Sequence, residues 1–322
     1  MENVGFFAFP AFAKEISMLR FIFAPFLAIV LLASSFLFAE EPAPNQADST
    51  PTSKTLHVLT VGNSFSVCLE RYFPSIVRSV PGCDVHLESI YIGGCTLERH
   101  WNNIVTEEAN PDDRYFKEFT YRQKFESQPW DFVSIQQASG WSWRPESYFP
   151  FAEQLTNYIK QYAPTAEVVI QQTWAYRPDE PRLKEWGLDQ KGMYDKLAAA
   201  YASAAAHLNL RVIPVGLAMQ MARENQPGGY EPFDRADLTY PNLPDMSRYF
   251  CGSLKWKDEK TLEGDAYHLN RRGDYLQACV WFALLFDHSA TDIRFVPDEI
   301  TEDDAQFLRE TAQKAVETYK QN

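Results

Sequence analysis

Apolar residues fall into short runs that alternate with stretches of helical spacing. Leu56–Val61 is an apolar run closed by Gly62, the form of a buried strand. Leu69, Phe73, Ile76, Val77 and Val80 then recur at helical spacing until Pro81-Gly82 stops them. Val85–Ile92 predicts a second strand, ending at Gly93-Gly94. Asp131–Ile135 predicts a third and Glu167–Gln171 a fourth, with a helix over Glu146–Tyr162 between them. An Ala-rich helix over Gln190–Leu208 leads to a fifth strand, Arg211–Val215, and two further helices cover Gly273–Phe286 and Thr301–Tyr319. Strands and helices that alternate in this way predict a parallel sheet with helices on both faces. One domain is expected over residues 55–322. Arg223–Gly264 has Pro227, Pro232, Pro241 and Pro244 and little periodicity, and reads as a long loop insertion that serves as a lid or binding loop.

The N-terminus changes the compartment. Phe21–Ala39 carries no charge, follows Arg20 and precedes Glu40-Glu41-Pro42. A basic start, an apolar centre and a small residue at the end read as a signal peptide over residues 1–39, with Met18 a second candidate start. The run is also long enough to span a bilayer, so an uncleaved anchor stays open. Residues 40–54, rich in Pro, Ser, Thr and Ala, read as a flexible linker. A secreted or periplasmic location follows. The net charge of −13 disfavours nucleic acid and anionic lipid as partners. Five scattered cysteines with no CxxC pair disfavour a zinc site. One disulfide is possible in an oxidising compartment, but the sequence does not choose the pair.

Ligands of open α/β sheets bind outside the carboxyl ends of the strands. Four segments fall at such ends or in a comparable loop. Gly62-Asn63-Ser64-Phe65 turns out of the first strand and puts Ser64 at the start of a helix, where it either caps that helix or acts as a nucleophile. The pattern G-x-S-x-G is absent, which argues against an α/β-hydrolase elbow. Gly93-Gly94 follows the second strand and allows a backbone N–H to approach a ligand closely. Gln136-Gln137 ends the third strand, where an amide could donate to a developing oxyanion or merely cap the sheet. Asp265 and His268 are three residues apart, close enough to share a hydrogen bond within one turn of a Gly-led loop. Of the six histidines only His268 has such a partner.

Together these segments resemble the SGNH/GDSL hydrolase superfamily, from about His57 to about Phe286. The nearest branch reads GNSF in place of GDSL, and YIGGCTLERHW, WDFVSIQQASGWS and IQQTWAY resemble its own segments. The resemblance implies a flavodoxin-like three-layer α/β/α sandwich of about five parallel strands. It implies Ser64 as nucleophile, His268 as base, Asp265 as its orienting partner, and the N–H groups of Ser64 and Gly94 in the oxyanion hole. No metal or cofactor is implied. Asn63 replaces the Asp of GDSL, and the G-x-N-D of the third block is missing, with Gln136-Gln137-Ala138-Ser139 in its place. Gln137 is the expected substitute for the missing Asn donor, with Gln136 the alternative.

Five tryptophans, Trp101, Trp141, Trp143, Trp174 and Trp186, fall in or near the strand-end loops. Rings there suit sugars, and Trp101, Trp141 and Trp174 are expected to bind substrate. The expected activity is hydrolysis of acyl esters, acetyl above all, on a small molecule or polysaccharide. The alternative is a non-catalytic glycan-binding protein on a decayed hydrolase fold. A metal-dependent hydrolase lacks any H-E-x-x-H in this chain.

Overall fold

A computed structural model describes residues 54–321. The expected signal peptide, and all of the expected linker except Lys54, lie outside the described residues. The central sheet consists of β1 (Lys54–Gly62), β2 (Cys83–Tyr91), β3 (Phe132–Ile135), β4 (Glu167–Gln171) and β5 (Arg211–Ile213). All pairings in it are parallel, in the order β2-β1-β3-β4-β5. This is the flavodoxin-like order, whose direction reverses between β1 and β3 and opens a crevice at their carboxyl ends.

Among the described residues ten α-helices connect and cover the strands: α1 (Ser64–Val67), α2 (Phe73–Arg78), α3 (Leu97–Ala109), α4 (Tyr121–Glu126), α5 (Phe151–Tyr162), α6 (Pro181–Glu185), α7 (Gln190–Leu208), α8 (Val215–Asn225), α9 (Arg271–Leu285) and α10 (Glu302–Gln321). One group of helices is α3, α4, α5 and α7; the other is α2, α8, α9 and α10. The result is the three-layer sandwich expected from the strand–helix alternation. From Arg272 to Leu285 every residue of α9 is buried, the polar Arg272, Asp274 and Gln277 included. Arg272 tolerates that position because its guanidinium pairs with Asp304 at 2.6 Å.

Prolines account for two differences from the expected elements. The helix read over Glu146–Tyr162 begins at Phe151, because Pro145 opens a short 3₁₀ turn and Pro150 sits at the N-cap. The helix expected from Leu69 to Val80 is split into a 3₁₀ turn, Cys68–Arg71, and α2, whose second residue is Pro74.

The expected loop insertion over 223–264 is not structureless. It contains two 3₁₀ turns and β6 (Cys251–Trp256), which pairs antiparallel with β7 (Leu262–Leu269). Its four prolines all precede the hairpin; what hides the hairpin is the charged stretch Lys255–Glu263, which spans the turn and the inner ends of both strands and leaves no apolar alternation to read. All five cysteines are free thiols. Among the described residues no helix is long and apolar enough to cross a membrane.

Candidate active site

The site is assembled from the carboxyl end of β1 and from the β6–β7 hairpin. Asn63 caps α1, its side-chain Oδ1 accepting from the Phe65 N–H at 3.0 Å, and this places Ser64 at the first helical position. Ser64 Oγ lies 2.8 Å from His268 Nε2, across more than two hundred residues of sequence. His268 Nδ1 lies 2.5 Å from Asp265 Oδ2. With Nδ1 donating to the carboxylate, Nε2 is left as the acceptor for the Ser64 hydroxyl.

Asp265 and His268 sit on β7, not in a loop before a helix. Ser253 opposes Asp265 and Cys251 opposes Leu269, so Gly252 alone spans the three residues Ala266 to His268. The bulge gathers Asp265 and His268 on one side, as a helical turn would. Gly252 has φ +81, and a Cβ there would meet the Asp265 carbonyl oxygen at 1.8 Å, so only glycine permits this bulge. Burial alone would push the Asp265 carboxyl up. Hydrogen bonds from the His268 ring and from the backbone N–H groups of Tyr267 (2.7 Å) and His268 (2.9 Å) outweigh it and hold the group below the ordinary Asp value. Asp265 is thus kept as an anion facing the imidazole.

A cleft of about 320 Å³ opens over Ser64 and His268, lined also by Asn63, Gly94, Ser139, Trp141, Tyr176, Arg182 and Tyr267. A larger hollow of about 540 Å³ beside Arg248 and Arg272 shares no residue with it, and contains neither the serine nor the histidine. Gly94 reaches the cleft with φ +62, a backbone conformation that side chains disfavour.

The expected role of Gln137 is corrected. Its amide Nε2 donates to the Ser147 carbonyl (2.7 Å) and hydroxyl (3.2 Å), and its Oε1 accepts from the Leu97 and Ala138 N–H groups. Both donors are consumed in tying two loops together, and the residue does not line the cleft. Gln136 does not line it either. It donates to Asn63 Oδ1 at 2.8 Å and accepts from Gln171 Nε2. Gln171 and Gln277 both donate to the Phe65 carbonyl, at 3.0 and 2.9 Å, and Asn63 Nδ2 donates to the Cys95 carbonyl at 2.9 Å. A buried chain of amides therefore braces the turn that presents Ser64. Behind it, burial pushes the His100 imidazole down to about 4, so a neutral ring meets the Gly62 carbonyl at 3.2 Å and Tyr121 Oη at 2.7 Å. Low propensity and alternation rules cannot separate a bracing amide from a catalytic one.

This bracing gives a test. Gln136→Leu should lower stability by about 1–3 kcal/mol, because it strands a buried amide of Gln171. It should also lower any turnover that depends on Ser64. Urea denaturation and a parallel rate measurement check both. Wild-type stability in the variant would show that the chain of amides contributes nothing.

Of the three tryptophans expected at the substrate, only Trp141 lines the cleft, and it is 48% exposed. Trp174 is fully buried, stacked on Phe65 with ring centroids 4.1 Å apart, and donates to the Tyr267 carbonyl at 2.8 Å. Its place is beneath the nucleophile turn. Trp101 lies on α3 with its edge to Tyr158, outside the cleft. Trp143 and Trp186 face each other at 5.6 Å, and Trp186 lies 5.7 Å from the Tyr176 ring. Sequence reading missed Ser139, Tyr176, Arg182 and Tyr267. Ser139 and Tyr176 lie within segments already quoted and Tyr267 lies between Asp265 and His268, whereas Arg182 has no local signal. Among the described residues no group of three or more His, Cys, Asp or Glu could hold a metal ion.

No curated protein matches the chain. Among solved structures, it is similar to a DUF4886 family protein from Bacteroides uniformis, with 26% identity and a TM-score of 0.64 over 82% of this chain and 95% of that one. A candidate SGNH hydrolase from Slackia heliotrinireducens is 21% identical, with a TM-score of 0.45 over 71% of this chain and 97% of that one. A member of the lipolytic G-D-S-L family from Veillonella parvula is 12% identical, with a TM-score of 0.40 over 72% of this chain and all of that one (100%). Residues 57–257, which include the nucleophile turn and the amide chain's Gln136 and Gln171, match the profile described as a domain of unknown function, DUF4886, and the chain belongs to that family.

Proposed function

We propose that this protein is a secreted serine ester hydrolase that removes acyl groups, acetyl above all, from carbohydrate. The observation that carries this reading is the continuous contact from Ser64 Oγ to His268 Nε2 (2.8 Å) and from His268 Nδ1 to Asp265 (2.5 Å) at the mouth of a cleft. The geometry is that of a nucleophile, a base and an orienting carboxylate. Secretion rests on the apolar segment Phe21–Ala39.

In the reaction, Ser64 Oγ bonds to the ester carbonyl carbon as its proton passes to His268 Nε2. The carbonyl electron pair moves onto oxygen. The backbone N–H groups of Ser64 and Gly94 are the proposed donors to that oxyanion. A third donor is the Ser139 hydroxyl, which lines the cleft 2.8 Å from Tyr176 Oη. Accepting from the phenol would leave the Ser139 proton to face the oxyanion. The tetrahedral adduct collapses with cleavage of the bond to the alcohol oxygen, which takes the proton from His268. Water then gives a proton to His268 and attacks the acyl-enzyme, returning Ser64 and releasing the acid.

One observation favours a second reading, a non-catalytic glycan-binding protein: neither Gln136 nor Gln137 reaches the cleft to replace the missing Asn donor. A fluorophosphonate probe separates the two. The catalytic reading expects a covalent adduct on Ser64, found by peptide mass spectrometry, and acetate release from a panel of acetylated glycans. An unlabelled Ser64 in a protein that binds those glycans without hydrolysis would favour the binding protein.

A further inference from the structure

The cleft has a cation and no acid. Among the residues that line it, Arg182 is the one Arg or Lys, and none is Asp or Glu. This is notable in a chain of net charge −13. The guanidinium of Arg182 lies over two rings that share the cleft, 4.3 Å from the centre of Tyr267 and 4.7 Å from that of Tyr176. Its Nε donates to Glu180 at 2.6 Å. Among the described residues Nη1 and Nη2 have no hydrogen-bond partner, and the side chain is 35% exposed. A guanidinium stacked on rings and tethered through Nε has lost its rotational freedom, while its outer edge keeps the paired N–H groups that fit a carboxylate.

The charge continues beyond the cleft. Arg144 stacks at 4.8 Å on Trp141, which lines the cleft, and at 4.5 Å on Trp143. Lys196 lies 5.5 Å from the Trp143 ring. Trp143, Arg144 and Lys196 line a neighbouring hollow, in which Glu146 is the one carboxylate. The loop after β3 and the segment after β4, with Arg182 on α6 and Lys196 on α7, thus carry rings and cations side by side.

We propose that the substrate carries a carboxylate beside the scissile ester, and that Arg182 binds it in the cleft, with Arg144 and Lys196 receiving further negative charge along an extended ligand. This inference rests on the esterase reading above and narrows its substrate to acidic esters. The carboxylate could belong to a uronic acid of the glycan or to a dicarboxylic acyl group; both present the same group to Arg182.

The test uses the purified protein and four esters: an O-acetylated oligouronide, an O-acetylated xylo-oligosaccharide, an aryl acetate and an aryl hemisuccinate. The expected result is a kcat/KM at least about tenfold higher for one acidic ester than for its neutral counterpart. Which acidic ester shows it identifies the source of the carboxylate. Arg182→Gln should reduce that ratio to near one, Arg182→Lys should restore part of it, and added salt should erode it in the wild type. Arg144→Gln should lower the ratio only for the oligouronide if the long ligand is the source. A wild-type ratio near one with good aryl acetate turnover, or a ratio that survives Arg182→Gln, overturns the inference. Failure of the esterase reading has a different signature, with all four esters inert. In that case calorimetry with the unacetylated oligouronide decides, and charge selection stands only if binding is lost in Arg182→Gln and kept in Arg182→Lys.

Discussion

Ser64→Ala should abolish ester hydrolysis, with kcat falling on the order of 10⁴ or more, as expected when the nucleophile of a serine triad is removed. The hydroxyl contacts His268 at 2.8 Å and lines the cleft. The backbone at this position is fixed by Asn63, through its cap to Phe65, and not by the serine side chain. Alanine is also a good helix former at the first position of α1. The variant should therefore melt within a few degrees of wild type and keep its circular dichroism spectrum. That separation of activity from stability is the point of the experiment. A variant with native stability and a tenth or more of the wild-type rate would place the nucleophile elsewhere.

Asp265→Asn should lower kcat by on the order of 10⁴ with little change in KM. Asn can keep the two backbone bonds, since its Oδ1 can accept from Tyr267 and His268 N–H as Asp265 Oδ1 does at 2.7 and 2.9 Å. The bulge of β7 should then survive. Its Nδ2 faces His268 Nδ1 as a donor, however, where the carboxylate was an acceptor. The ring must then carry its proton on Nε2, toward Ser64, and can no longer take the serine proton. Asp265→Ala serves as the contrast. It removes the two backbone bonds as well and should cost about 1–3 kcal/mol of stability. Steady-state kinetics and urea denaturation of the two variants distinguish the roles. Near-wild-type turnover in Asp265→Asn would leave Asp265 only the bulge to hold.

The elements at issue show why some of this was legible in one dimension. Strand β4 was read with the observed boundaries, and α7 likewise, because a short apolar run and a long Ala-rich stretch have one local solution each. Ser64 was legible as the residue at the turn after Gly62, and Asp265 and His268 as a pair three residues apart, but their joint roles came from the resemblance to SGNH/GDSL hydrolases and not from spacing. The missed helix α8 is short and flanked by Pro214 and Pro227, and the hairpin β6–β7 was missed because the charged stretch Lys255–Glu263 leaves its strands no clear alternation. Gln136 and Gln137 failed differently. Both are 1% exposed, and the identity of the residue said only that each needed partners.

Local pattern and turn chemistry by themselves determined the parallel α/β architecture, the strand end that carries Ser64 and the three-residue spacing of Asp265 and His268, while the bulge opposite Gly252 that gathers those two side chains came from the pairing of β6 with β7. The first three features depend on contacts among near neighbours or on a period that repeats. Only the tertiary structure decided which polar side chains face the cleft. A buried amide takes whichever donors and acceptors the fold brings near it, and for Gln137 these were Leu97 and Ser147, not the space above Ser64. It likewise sent Trp174 beneath Phe65 and brought Arg182 into the cleft beside Tyr176 and Tyr267, because ring stacking and guanidinium placement are set by neighbours distant in sequence.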